Sequence, residues 1–406
     1  LPIRGVSEKR ICIDIATADV KGHGKKMDHF SRLKLASEDN QNCSQSDDDS
    51  DLDTSQNFFG LTDDEFGAWL TGELANSPGR QQYKTVFDQA IVAIIKWRQR
   101  YRGNPKIWKR IFKKERVLKE LIESAPIIHS VQIFVNENEN RKDAPYTILD
   151  LCSGKGYLSM FLSEILPPEK VQKIILIDKA WAMCNAELLP HHINWDHIYG
   201  TIPDGNNDDG KEQDTEASTY FTTWPIPLHT SKQDLKQSCN PRQMKKYVFD
   251  RTDGPIIILA VHLCGTLALR AVNLFNLEPN VEFFALKPCC LPQMVHAQRE
   301  EVFRIGKHSF PAEDVCSNGS FNKNNWTGPP RWHLEKKFQL WSDHLFQGID
   351  VVEDSNPYCM EEKPFLGQKE KREVPIQIDG GFQNTYLLAE RSPLTTNLWR
   401  KKNEQS

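Results

Sequence analysis

Apolar residues along the chain fall into two rhythms. From about 60 to 125 the pattern is helical, and Val86, Ala90, Ile91, Ile94 and Ile95 share one stripe that must pack against something. Thr62 followed by Asp63, Asp64 and Glu65 predicts a capped helix start, with acids near the positive end of the dipole. The stretch from Gly103 to Pro105 breaks this pattern. From 146 onward, short apolar runs are each followed by a helical stretch, the signature of a parallel sheet built from βαβ units. Strands are predicted at 147–151, 173–177, 226–231, 255–261 and 282–286. A closing hairpin is predicted from 374–378 and 385–389, joined through Gly380-Gly381. Between these, 332–346 reads as a helix with Leu334, Phe338, Trp341 and Leu345 on one stripe. Trp332 and His333, just after Pro329-Pro330, could line a cleft, although a core role is the plainer expectation.

Polar sequence sets the limits of these elements. Residues 1–57 hold one short apolar piece at 11–15 and then an acidic run through Asp47, Asp48, Asp49, Asp51 and Asp53, so most of this segment is expected to be disordered. Inserts at 203–218 and 312–330 are rich in Gly, Asn, Asp and Pro and are expected to be surface loops. The resulting division is a disordered acidic start (1–57), a helical basic domain (58–127), an α/β domain (128–395) and a polar tail (396–406).

Composition narrows the class. The 406 residues allow two or three domains. With 51 basic and 55 acidic residues the net charge is −4, and 39% of residues are apolar. A mean hydropathy of −0.56 leaves much of the chain as surface or insert. No run approaches the roughly 18 apolar residues that cross a bilayer, so a transmembrane protein is excluded. No signal peptide is legible, and the start at Leu1 suggests a fragment. The ten cysteines lack the dense spacing of a secreted disulfide scaffold, which favours reduced thiols in the cytoplasm or nucleus. The sequons at Asn42, Asn318 and Asn325 are then accidental.

The first strand carries the clearest chemistry. It runs into Cys152-Ser-Gly-Lys-Gly-Tyr157, followed by a helix with Leu158, Phe161, Leu162, Ile165 and Leu166 inward. Gly154 and Gly156 let the backbone approach a ligand where a strand turns into a helix N-terminus. Asp150 ends the first strand and Asp178 the second, where an acid can accept from ribose hydroxyls. A lone GxG is only a tight turn, but here strand, helix and second acid agree. Tyr157 begins a bulky helix face where the third Gly of a dinucleotide loop would sit, which disfavours a dehydrogenase, and no phosphate loop of the GxxxxGK[ST] kind exists.

This arrangement resembles the cofactor loop of class I S-adenosylmethionine-dependent methyltransferases. The resemblance implies a Rossmann-like, mostly parallel seven-stranded sheet preceded here by a helical segment. It implies that Cys152, Gly154 and Gly156 border the methionine part of the cofactor, that Asp150 helps hold it, and that Asp178 binds the ribose. Asp234, after the third strand, matches the acid that contacts the adenine amino group; its plainer reading is an exposed helix cap.

Two further motifs end the fourth and fifth strands, His262-Leu-Cys-Gly265 and Lys287-Pro-Cys-Cys290. Ligands of parallel sheets bind outside the carboxyl ends of the strands, so both arrive where an acceptor must meet the methyl group. His262 could act as general base for a hydroxyl, with Lys287 stabilising the alkoxide. Cys264 with Cys289 or Cys290 could act covalently on a pyrimidine carbon. His262, Cys264, Cys289 and Cys290 also include the atoms of a tetrahedral metal site. However, neighbouring side chains of an extended segment are expected to point apart, and no metal ligand set is assigned. The plain alternative is small cysteines packed under the cofactor. HxCG and CC together resemble the eukaryotic methyltransferase-domain family that includes tRNA acceptor-stem 2′-O-methyltransferases and methyltransferase-like proteins of varied substrate, over roughly 130–300. The chain departs from the tRNA members in lacking a Cys/His-rich amino-terminal zinc module, since Cys12 and Cys43 stand alone with His23 and His29 between them.

The remaining hint concerns the acceptor. Eleven basic residues lie between Lys96 and Lys119, with Glu115 among them and Glu120 at their end. Trp97, Tyr101, Trp108 and Phe112 are interleaved. Lys109, Arg110, Lys113 and Lys114 would neutralise phosphates, and exposed rings could stack on unpaired bases. The alternative is a buried aromatic stripe beneath solvated charges. The reading is a methyltransferase using S-adenosylmethionine and acting on RNA, possible substrates including tRNA. A protein or small-molecule methyltransferase, or a non-catalytic cofactor-binding scaffold, is the alternative. Oligomeric state is not legible.

Overall fold

Thr62 caps the first helix in the manner predicted. Its hydroxyl accepts from the Glu65 N–H at 3.2 Å, and the Glu65 carboxylate returns the bond to the Thr62 N–H at 2.8 Å. In the computed structural model the described residues are 56–137, 144–182, 188–200, 221–237, 240–252, 254–318, 320–322, 325–351, 367–376 and 383–391. Helix α1 (Asp63–Leu74) is followed by α2 (Lys84–Arg100), α3 (Pro105–Ile111) and α4 (Lys114–Glu137). Asn104 caps α3, with Pro105 in the first helical position, where its missing N–H has no partner to lose.

The sheet follows the βαβ rhythm. Strands β1 (Tyr146–Leu151), β2 (Val171–Asp178), β3 (Leu228–Lys232), β4 (Ile256–Cys264) and β5 (Val281–Cys290) pair in parallel. Helix α5 (Tyr157–Ile165) joins β1 to β2. Helices α6 (Asp196–Tyr199), α7 (Asn240–Tyr247), α8 (Leu267–Leu277) and α9 (Met294–Gln298) follow in chain order. Short hairpins β6 (Val302–Ile305) with β7 (His308–Pro311), and β8 (Ser320–Asn322) with β9 (Asn325–Thr327), precede α10 (Arg331–Gly348). Strands β10 (Gln368–Glu373) and β11 (Thr385–Glu390) complete the sheet, in order β10-β11-β5-β4-β1-β2-β3, with β11 antiparallel to both neighbours. This is the Rossmann-like, mostly parallel seven-stranded sheet expected, and the strand order reverses between β1 and β4, where such sheets open a cleft.

Two apolar cores lie on opposite faces. Helices α1 to α5 cover one, joining Trp97, Tyr101, Trp108 and Phe134 to Ile148 and Phe161. Helices α7, α8 and α10 cover the other, around Phe275, Phe338 and Trp341. With both faces covered, β1 and β11 are buried at every position.

Several expectations change. The boundary expected at 127/128 falls inside α4, so the amino-terminal helices share a core with the sheet. The hairpin partner of β11 is 368–373 and not 374–378, because β10 is an outer edge strand with no apolar residue, which apolar patterning does not reveal. The insert at 312–330 is no plain surface loop: Ala312, Val315 and Cys316 are buried, and 320–322 pairs antiparallel with 325–327. Trp332 is 68% exposed, which removes its core role. The acidic start up to residue 55, the insert at 203–218, the Gly380-Gly381 turn and the tail at 396–406 lie outside the described residues.

Candidate active site

The glycine loop takes a conformation that few residue types tolerate. Cys152, Gly154 and Gly156 all have positive φ, at 55°, 54° and 84°. Glycine enters this region without strain, whereas Cys152 does so at a cost of about 1 kcal/mol or more. A side chain at Gly156 would collide with Leu176 of β2, so the loop sits directly on the sheet there. At Gly154 a Cβ would meet nothing within 4 Å, so this side of the loop faces open space that a ligand can enter. The residues therefore fit the methionine end of an S-adenosyl group.

Of the three predicted acids, Asp178 holds the loop directly. Asp178 accepts the Gly154 N–H at 3.1 Å through Oδ2 and the Ala180 N–H at 2.8 Å through Oδ1. Asp150 is buried and accepts the Ser159 hydroxyl at 2.7 Å. Burial pushes its carboxyl up to about 7, the Asp178 charge adding to an effect that the Ser159 bond opposes. Asp234 accepts the Lys236 N–H at 2.9 Å and so caps a turn after β3 rather than a helix. The Cys152 thiol is pushed up to about 12 by burial first, and then by the charges of Asp178, Asp150, Cys264 and Asp234. These charges bring the cofactor loop and the HxCG motif into one electrostatic neighbourhood.

At the ends of β4 and β5 the two motifs separate into two clusters. His262 has φ 63°, and the β4–β5 register slips between Val261 and Leu263, a bulge that re-aims its side chain. Its Nε2 donates to Glu120 Oε2 at 3.2 Å and lies 3.0 Å from Glu123 Oε2, the second contact being an ion pair too bent for a hydrogen bond. Lys287, fully buried, places Nζ 3.7 Å from the same Glu123 oxygen. Burial alone would lower the imidazole, but the two carboxylates outweigh it and raise His262 to about 9. Burial would raise Glu123, but His262 and then Lys287 outweigh it and take the carboxyl to about 2. His262 is thus a held cation here, not the free imidazole that a general base requires. Glu120 and Glu123, on one face of α4 at spacing i, i+3, were not picked out from the sequence. Their signal was a pair of acids closing a basic helix.

The cysteines form the second cluster. Cys264 Sγ lies 3.3 Å from Cys289 Sγ and 3.4 Å from Cys290 Sγ, and the last two are 3.6 Å apart. The expectation that neighbouring side chains point apart fails because Pro288 and a register slip at Leu263/Cys264 break the regular pleat. Sulfur contacts with both neighbours hold the Cys264 thiol well down, while its neighbour Cys289 is pushed up.

The basic segment bears on the site differently than its pattern suggested. Trp97, Tyr101, Trp108 and Phe112 are at most 1% exposed, so none is a base-stacking platform. Arg98 pairs with Asp63, Arg100 with Glu164, and Lys114 with Glu73. Lys109, Lys113 and Lys114 remain exposed, and Arg110 is half-buried near Asp196. The elbow between α3 and α4 leans on the glycine loop: Lys155 Nζ donates to the Arg110 carbonyl at 3.3 Å and Tyr157 Oη to the Ile111 carbonyl at 2.7 Å.

The protein is an S-adenosylmethionine-dependent methyltransferase with a Rossmann-like fold. Residues 118–297 match a family whose model is described as a methyltransferase domain, and S-adenosylmethionine is the methyl donor. No curated protein matches the sequence. Solved structures with partial likeness include the 23S rRNA methyltransferase ErmE (10% identity, 67% of this chain and 72% of that one, TM-score 0.23). Another is the plantazolicin methyltransferase BpumL with SAH (10% identity, 76% and 100%, TM-score 0.28). A third is a cyclopropane-fatty-acyl-phospholipid synthase-like protein from Lactobacillus casei (15% identity, 43% and 57%, TM-score 0.20). Likenesses this slight bear on neither substrate nor site.

Proposed function

We propose that the enzyme methylates RNA, tRNA among the possible substrates. The observation that supports this reading is the basic elbow at 106–116, which borders the glycine loop and so lies beside any acceptor approaching the methyl group. A polyanion would be drawn to that edge by counterion release through Lys109, Arg110, Lys113 and Lys114. The buried rings leave charge, not stacking, as the means of recognition.

In this reading Gly154 and Gly156 admit the cofactor with Cys152 beside them, Asp150 and Asp178 hold its methionine and ribose parts, and Asp234 meets the adenine. The bound cofactor supplies an electrophilic methyl group on sulfur. The chain mainly holds acceptor and methyl in line, and such positioning is worth about 7–11 kcal/mol of barrier. With His262 Nε2 committed to two carboxylates, His262 serves as a fixed cation facing the acceptor, and Lys287 lies buried behind Glu123. Where the acceptor must lose a proton, Glu120, the more exposed carboxylate of the pair, receives it. The thiols stand beside this path.

Incubation with methyl-labelled S-adenosylmethionine and whole-cell extract, followed by ribonuclease or protease, tests the reading. Label released by ribonuclease is expected. Label released only by protease, or found only in small molecules, overturns RNA as the acceptor.

A further inference from the structure

We propose that Cys264, Cys289 and Cys290 together hold one zinc-class divalent cation at the carboxyl edge of β4 and β5, with its fourth position turned toward solvent. The three sulfurs form a nearly equilateral triangle with sides of 3.3, 3.4 and 3.6 Å. A tetrahedral ion with bonds of about 2.3 Å spaces its sulfurs by about 3.8 Å, so each sulfur needs to move outward by only a few tenths of an ångström. No pair is singled out as it would be in a disulfide, whose sulfurs bond at about 2.05 Å and leave the third thiol aside.

The backbone that makes the triangle is braced from several sides. Cys264 stands opposite Cys290 in the ladder, immediately after a register slip. Pro288 breaks the pleat so that Cys289 and Cys290 face the same partner, and the Gln383 side-chain amide donates to the Cys289 carbonyl. Thiolate donors select zinc over magnesium or calcium, which prefer oxygen. Among the described residues no fourth His, Cys, Asp or Glu joins the set, and Cys264 and Cys290 are exposed, so solvent or a ligand can reach the remaining position. Sites with three protein ligands and one open position are those that bind or activate a ligand, whereas purely structural zinc is closed by four. On binding, sulfur–metal bonds form as the thiol protons still held are released, and nothing is oxidised or reduced.

This inference is independent of which acceptor the enzyme uses. The full chain, purified under reducing conditions without chelator, is analysed for metal by mass spectrometry of the elements. It is then stripped and titrated with cobalt(II), whose thiolate charge-transfer and tetrahedral ligand-field bands report the donor set without any assay of methyl transfer. One equivalent of zinc and a tetrahedral thiolate spectrum are expected. Cys264→Ser and Cys290→Ser should each lose both, with the thermal melt confirming that the variants fold, while Cys316→Ser, at a buried position outside the set, keeps both. Three freely titrating thiols with no cobalt–thiolate band overturn the proposal. So does a Cys264–Cys289 disulfide in the isolated protein, or zinc that persists in all three variants.

Discussion

The two halves of the site meet at one sheet edge but are held by different forces. The glycine-loop side is shaped by backbone: three left-handed residues within five positions, a glycine pressed onto Leu176, and Asp178 clamping two N–H groups. The His262 side is shaped by charge: Glu120 and Glu123 of α4 grip His262, and Lys287 lies buried beneath. A backbone-built site tolerates changes of charge but not of shape, and a charge-built site the reverse. That contrast can be broken or sharpened by substitution.

The largest effect is expected on the charged side. Glu123→Ala leaves Lys287 and His262 without their shared counter-ion, and breaking such a buried pair costs about 3–5 kcal/mol. Chemical denaturation should show this loss together with loss of methyl transfer. A change below about 1 kcal/mol would mean that water compensates the charges and that the cluster is not what organises this edge.

The next prediction concerns pH. Asp150 titrates near 7 in the folded chain but near 3.8 when unfolded. The native state therefore holds a proton that the unfolded state releases, and stability falls as pH rises from about 4 to about 7, then levels. The full fall is about 4 kcal/mol. Asp150→Asn should remove about half of the slope between pH 4 and 7 in denaturant melts, the other half belonging to Glu390, which burial raises from 4.5 to about 8. An unchanged slope in the variant would assign it to other carboxylates.

Smaller in stability but decisive for the ligand are the two glycines. Gly156→Ala costs about 1–2 kcal/mol for its positive φ and adds the collision with Leu176. Gly154→Ala carries a similar φ cost but meets nothing within 4 Å, so its damage should appear in S-adenosylhomocysteine affinity by calorimetry more than in the melt. Equal effects on affinity and melt at Gly154 would mean that the open face is not the cofactor's.

The smallest stability effect belongs to the elbow. Replacing Lys109, Arg110, Lys113 and Lys114 together by Gln removes exposed or half-exposed charges, worth at most about 1 kcal/mol per pair. RNA affinity should nevertheless drop, and the slope of log affinity against log salt should flatten by about 0.7 for each single-strand phosphate that the variant no longer neutralises. An unaltered slope would make the elbow a solvated face.

Local sequence was enough for the sheet and the loop. Strand–glycine–helix order, the acids ending β1 and β2, and the Thr62 cap depend on residues a few positions apart, whose chemistry acts through the backbone itself. Apolar runs marked β1, β2, β4, β5 and β11, while the charged edge strand β10 escaped because nothing in its pattern requires burial. The basic stretch was visible, but which of its faces is buried was not. That depended on Phe161 meeting Trp97 at 4.7 Å and Trp108 stacking on Phe112 at 4.5 Å.

What the sequence determined by itself is therefore the Rossmann-like fold and the glycine loop, because both rest on short-range steric rules. Only the tertiary structure decided the state of the acceptor edge. Glu120 reaches His262 across 142 positions, and Cys264 meets Cys289 across 25, through a bulge and a proline that alter which way side chains point. Proton affinity depends on burial and on charges brought in from elsewhere in the chain, so whether His262 is a base or a held cation is a property of packing and not of motif.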